Sequence, residues 1–147
     1  MSLRSAIDEA PYLYIGMVGE GGDGTLRLIV HEARAGGEPE DLDVAGVTLA
    51  GAIPIVADET TPKYEVRFAS YVAYSVRNES YVSWDESETW TGRLFRVYTD
   101  SKFLDYVGAA TFATDEYPGP LTHYELATLN HIVDVVTTVE PGVERIS

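Results

Sequence analysis

Histidine is the side chain whose ordinary pKa lies closest to neutral pH, and this 147-residue chain has three, His31, His123 and His131. His123 and Glu125 stand two apart, so on a strand they share a face, whereas on a helix His123 and His131 lie about two turns apart, too far to chelate alone. No HExxH motif and no dense His/Asp cluster of known ligand spacing is present, so neither a metal nor a cofactor is expected. The chain has no cysteine, which removes thiolate chemistry and any disulfide framework. Neither a GxSxG elbow nor an SxxK pair occurs, so no hydroxyl is marked as a nucleophile. Asn78 and Glu79 fall at a strand end beside Tyr81. Glu79 with His123 or His131 forms a candidate base and orienter. Asn78, Glu79, His123 and His131 therefore define one candidate site, a small-molecule pocket between a sheet and a helix.

A second group is denser. Tyr81, Trp84, Asp85, Glu86, Glu88 and Trp90 interleave aromatics with carboxylates. Aromatics supply anchors and acids supply steering, so the segment is a candidate contact surface for a basic macromolecule. The plainer alternative is an acidic turn held to the core by two buried indoles.

Charge ranks these options. The formal net charge is −14, with eleven acids against three bases in residues 1–62 and thirteen against seven in residues 63–147. A surface acidic throughout repels phosphate backbones and anionic lipid, so nucleic acid and membrane are not expected partners. The expected function is a non-catalytic acidic interaction protein that binds or neutralises a basic protein. The alternative is a small-molecule binding or processing domain. No apolar run approaches the roughly 20 residues of a membrane span, and the start MSLRSAIDEA lacks a signal-peptide core. A cytoplasmic location follows. One domain over residues 1–147 is expected, with 1–10 disordered or in part a tag. Oligomeric state is not legible.

The positioning elements are mainly strands. Tyr12–Val18 and Thr25–Ala33 flank Gly19-Glu-Gly-Gly-Asp-Gly24. These glycines run into a strand and not a helix N-terminus, so they predict a hairpin and not a phosphate cradle. Residues 35–42 read as an acidic loop, followed by two short strands or one bent strand over 44–57, with Pro54 confined to an edge or bulge. From Tyr64 to Val76 every second residue is Tyr64, Val66, Phe68, Ser70, Val72, Tyr74, Val76, which predicts one long central strand with an apolar face. Tyr81–Trp84 and Thr89–Tyr98 continue as antiparallel strands around an acidic turn. At Ser101 the period changes. Phe103, Tyr106 or Val107, and Ala110 predict a helix over about 102–112, with Asp100 or Ser101 as its cap.

Residues 121–139 carry two competing signals. Thr122 and Glu125 form a capping box, with Leu126, Leu129, Val133 and Val136 at helical spacing. Ile132–Val139 is almost wholly β-branched. Strands over 132–139 and 122–129 are the expectation, and a long helix is the alternative. The fold class is α+β: one curved or partly closed antiparallel sheet of six to eight strands with a single helix packed on it.

Overall fold

The computed structural model describes every residue except Met1 and Trp84. It is an α+β arrangement built mostly of antiparallel sheet, but the strands form three sheets and not one curved sheet. The chain runs α1 (Leu3–Asp8), β1 (Tyr12–Glu20), β2 (Leu26–Ala35), β3 (Glu40–Val44), β4 (Val47–Ala52), β5 (Ile55–Val56), β6 (Lys63–Phe68), β7 (Ala73–Asn78), a 3-10 turn (Glu79–Tyr81), β8 (Thr89–Thr91), β9 (Phe95–Asp100), α2 (Lys102–Ala110), β10 (Thr122–Ala127), β11 (His131–Thr137) and β12 (Gly142–Arg145). Sheet 1 has the order β1-β2-β6-β12, with β5 paired to the end of β2. Sheet 2 has the order β7-β11-β10-β9-β8, and β3 and β4 pair only with each other.

One core lies between the two large sheets. Leu13, Leu26, Leu28, Val30, Tyr64, Val66 and Phe68 enter it from sheet 1, and Phe95, Tyr124, Leu126, Val133 and Val135 from sheet 2. Tyr124 of sheet 2 touches Phe68 of sheet 1, ring centroids 5.8 Å apart. The residues between these in sequence face outward. On sheet 1 they meet solvent, as in the Arg27–Glu65 pair at 2.6 Å. On sheet 2 they are partly roofed by α2 and by Glu79, Val82, Ser83, Asp85 and Glu88.

The predicted single strand over 64–76 is divided. It breaks after Phe68, and β7 joins the other sheet. Alternation nevertheless continues through the corner: Tyr74 and Val76 pair in register with the inward-facing Val135 and Val133. Both sheets line the same core, so an even-numbered residue faces it on either side of the bend. The pattern reports which way a side chain points and not which sheet carries it. Val76 lies on the edge strand and stays 44% exposed.

Three further expectations change. Residues 79–81 form a 3-10 turn where a strand was expected over Tyr81–Trp84; Asn78 caps the turn by accepting the Ser80 N–H at 2.9 Å. The expected acidic loop becomes strand from Glu40 onward. Residues 3–8, expected to be without structure, form α1, with Ser2 as its N-cap and Ile7 fully buried. The hairpin β1–β2 has the expected form, with Gly24 at φ +84° and Asp23 Oδ1 accepting the Thr25 N–H. The helix at Lys102 and the strand reading of 122–137 also hold.

The β3–β4 ribbon turns through Ala45 and Gly46, at φ +52° and +81°, with Val44 opposite Val47. That two-residue loop needs positive φ at both positions, and alanine meets this at a cost of about 1 kcal/mol. Ala45→Asn is therefore expected to slow amide exchange at Leu42 and Leu49 several-fold. An unchanged exchange rate would remove the strain argument.

Candidate functional site

The outer face of sheet 2 carries a row of side chains in register: Arg96 on β9 stands opposite Glu125 on β10, Glu125 opposite Asp134 on β11, and Asp134 opposite Ser75 on β7. The next row holds Tyr98 opposite His123, with Trp90 of β8 opposite Tyr98. Two acids directly opposite one another repel across a ladder, so this pairing needs compensation.

The compensation is specific. Arg77, two residues farther along β7, reaches back so that its Nη2 lies 3.0 Å from Asp134 Oδ2 and 3.3 Å from Glu125 Oε2. From the other flank, Arg96 Nη1 lies 3.2 Å from Glu125 Oε1, and the Tyr98 hydroxyl donates to that oxygen at 2.9 Å. His123 Nε2 lies 2.7 Å from Asp134 Oδ1, and its Nδ1 lies 2.7 Å from Ser101 Oγ. Ser101 is also the N-cap of α2, where its Oγ accepts the Leu104 N–H at 3.0 Å. The ring thus bridges the two elements, with Nε2–H donating to Asp134 and Nδ1 sharing the second bond with the Ser101 hydroxyl. The Tyr98 ring stacks on His123 at 4.5 Å, and Phe103 of α2 meets its edge at 5.4 Å.

Burial then decides the protonation states. The side chains of Glu125 and Asp134 are 5% and 2% exposed. Burial, together with the hydrogen bond to Asp134 and its charge, pushes the Glu125 carboxyl up to about 8. Burial also works to raise Asp134, but hydrogen bonds from His123 and Glu125 and the charges of His123 and Arg77 outweigh it and hold Asp134 below the usual carboxylate range. At neutral pH the pair thus keeps one proton, on Glu125, facing two guanidinium groups. Burial raises the Tyr98 hydroxyl well above its ordinary value, so it stays a donor.

The row opens onto a cleft of about 570 Å³, lined by Leu13, Arg77, Trp90, Arg96, Tyr98, Glu125 and Ile132, with Glu79 at its rim. A smaller recess of about 260 Å³ continues from it under α2, reaching Ser75, Lys102, Phe103, His123 and Asp134. Arg96 lies over the Trp90 ring, 4.8 Å from its centroid. The Arg77 and Arg96 side chains remain 51% and 27% exposed, so a ligand can reach both.

The sequence-derived residues divide around this cleft. His123 and Glu125 do share a face, at the centre of the site. Glu79 lines the rim, while Asn78 caps the neighbouring turn. His131 pairs with Asn78 in register, but it lies beside Ile15, Gly16 and Met17 in a separate recess. Among the described residues no hydrogen bond joins Glu79 to either histidine. In the second group, Tyr81 is 85% exposed and Glu86 is also exposed, Trp90 turns into the cleft, and Trp84 lies outside the described residues. Asp85 is held 2.8 Å from Lys102 Nζ, and hydrogen bonds from Lys102 and Ser87 keep its carboxyl far below the usual range. Glu88 accepts the Lys102 N–H at 3.0 Å. Both acids thus brace α2. Sequence reasoning missed Arg77, Arg96, Tyr98, Ser101 and Asp134. Alternation put Arg77 on the outward face, but only strand register joins it to the others.

Two other chemistries can be weighed on this geometry. His123, Glu125 and Asp134 offer three buried donor atoms within 4.8 Å of one another, a set suited in type to a divalent cation. Arg77 already stands between the two carboxylates and supplies the positive charge. Ser101, His123 and Asp134 form the hydrogen-bond sequence of a nucleophilic triad. Ser101 is only 4% exposed and its hydroxyl caps α2, so it orients the histidine and does not face the cleft.

Comparison with protein-family models, curated proteins and solved structures gives no match for this chain.

Proposed function

We propose that this protein binds a small carboxylate-bearing molecule in the cleft on sheet 2, with the anionic group at Arg77 and Arg96 and an apolar or planar body along Trp90, Leu129 and Ile132. The observation that carries the reading is the directly opposed, buried Glu125–Asp134 pair set between two arginines whose side chains reach the cleft. With Glu125 protonated, two guanidinium charges face one carboxylate charge, leaving a positive surplus inside a protein of net charge −14. Guanidinium forks match carboxylate geometry, and a cleft of about 570 Å³ is in the range of small-ligand sites. Buried ionisable groups that converge in a cleft cost folding energy and are common where ligands bind.

The test is calorimetric titration with a panel of aryl and alkyl carboxylates against amide and amine analogues of the same shape. Carboxylates are expected to bind, with affinity falling as pH rises through about 8 and Glu125 ionises. Arg96→Gln is expected to weaken binding by roughly 2–4 kcal/mol, the range for losing a buried charge partner. Preferential binding of the amines would reject the proposal. A larger thermal shift with Zn²⁺ or Mn²⁺ than with any carboxylate would move the assignment to a metal centre.

A further inference from the structure

The β3–β4 ribbon stands apart from both large sheets. Its strands pair only with each other, and it is anchored where β5 pairs with the end of β2 and where the Gly36 N–H donates to the Pro54 carbonyl at 2.9 Å. Leu42 faces Leu49 across the ribbon, and Val44 faces Val47. Directly opposed residues share a face, so these four make a single apolar stripe. All four are about half exposed, at 45, 50, 54 and 59% respectively. The other face is polar, with Thr48 donating to Asp43 at 2.7 Å. A two-stranded ribbon in water is marginal without something covering its apolar face, and an exposed patch of this kind marks an interaction surface.

Charge selects the occupant. Residues 35–62 contain six acids, Glu38, Glu40, Asp41, Asp43, Asp58 and Glu59, and no lysine or arginine. A second copy would set these acids against its own net charge of −14, and anionic lipid would repel them likewise. A cationic protein surface carrying an apolar strip satisfies both the stripe and its rim.

We infer that the β3–β4 ribbon is a docking arm for a basic protein, laying Leu42, Val44, Val47 and Leu49 on an apolar strip while Glu38 and Glu40, at the base of the ribbon, meet flanking lysines and arginines. The arm works independently of the cleft, which lies on the outer face of sheet 2.

The probe is a fluorescent peptide of alternating leucine and lysine, compared by anisotropy with one of alternating serine and lysine at equal charge. The protein is expected to bind the leucine peptide about tenfold or more tightly than the serine peptide. Leu42→Ser with Leu49→Ser should abolish that preference with the melting temperature unchanged. Glu38→Lys with Glu40→Lys should weaken binding about tenfold and flatten its salt dependence. The inference is overturned by equal binding of the two peptides, by no binding of the leucine peptide at micromolar concentration, or by variants that bind as the parent does. It is also overturned if sedimentation shows a dimer that Leu42→Ser with Leu49→Ser dissociates, because the occupant is then a second copy.

Discussion

Asp134→Asn is expected to lower stability by about 3–5 kcal/mol, the cost of leaving buried charges without their partner. Asp134 holds the Arg77 guanidinium at 3.0 Å and the His123 imidazole at 2.7 Å, and an asparagine cannot balance the arginine's charge. Glu125→Gln is expected to behave in the opposite way. An amide reproduces most of the protonated carboxyl's bonds: its NH₂ can donate to Asp134 and its oxygen can accept from Tyr98 and Arg96, and only the 3.3 Å bond from Arg77 is lost, an arginine that Asp134 still holds at 3.0 Å. Stability near pH 5 should stay within about 1 kcal/mol of the parent, and near pH 8, where Glu125 of the parent ionises, the glutamine variant should be the more stable by on the order of a few kcal/mol.

The two acids also imprint opposite pH dependences. Glu125 has a folded pKa raised from 4.5 to about 8. Its contribution is complete below the unfolded value and is lost as pH climbs from about 4.5 through about 8. Asp134, held below 3.8, contributes above its unfolded value and loses that contribution as pH falls through its lower folded value. The parent should therefore be most stable in mildly acidic solution and weaken toward pH 8 by on the order of a few kcal/mol, at about 1.4 kcal/mol per unit of displacement. Urea titrations of the parent and the glutamine variant at pH 5.5, 7 and 8.5 read this directly. A parent with the same slope as Glu125→Gln would show that Glu125 ionises freely.

A second large effect is expected at Asp8. One carboxylate oxygen, Oδ1, accepts the N–H groups of Arg93, Leu94 and Phe95 at 2.7, 2.9 and 2.8 Å. It thereby pins the entry to β9 and, through it, the strand carrying Arg96 and Tyr98. Removing an acceptor from buried donors costs about 1–3 kcal/mol each, and water can reach the Arg93 N–H, so Asp8→Ala is expected to cost roughly 2–4 kcal/mol. The turn has no room to adjust. Gly92 sits at φ +90°, and a Cβ there would come within 2.3 Å of the Phe95 carbonyl oxygen. Asp8→Asn, which keeps an acceptor oxygen, should cost distinctly less. A loss under about 1 kcal/mol for Asp8→Ala in urea would mean solvent replaces the carboxylate freely.

Legibility tracked the range of the interactions. The β1–β2 hairpin, the Ser101-capped helix and the β-branched β11 rest on neighbours in sequence, and composition and spacing exposed them. Alternation over 64–76 correctly turned Val66 and Phe68 inward and Arg77 outward, yet it could not show the corner, because both sheets share a core. The first turn of the chain was discounted as disordered or in part a tag, although Ile7 and Asp8 are used fully. The candidate site was legible only as the pair His123 and Glu125. Asp134, Arg77 and Arg96 join them through register between four strands, and register depends on long-range pairing that no local period contains.

The corner at residues 69–72 also says where the chain can change length. These four residues are irregular chain between two sheets, and the facing of β7 is set by its pairing with β11, not by its distance from β6. An insertion in the bend should therefore leave Arg77 and Ser75 on the cleft side, whereas one inside β7 itself would turn them toward the core.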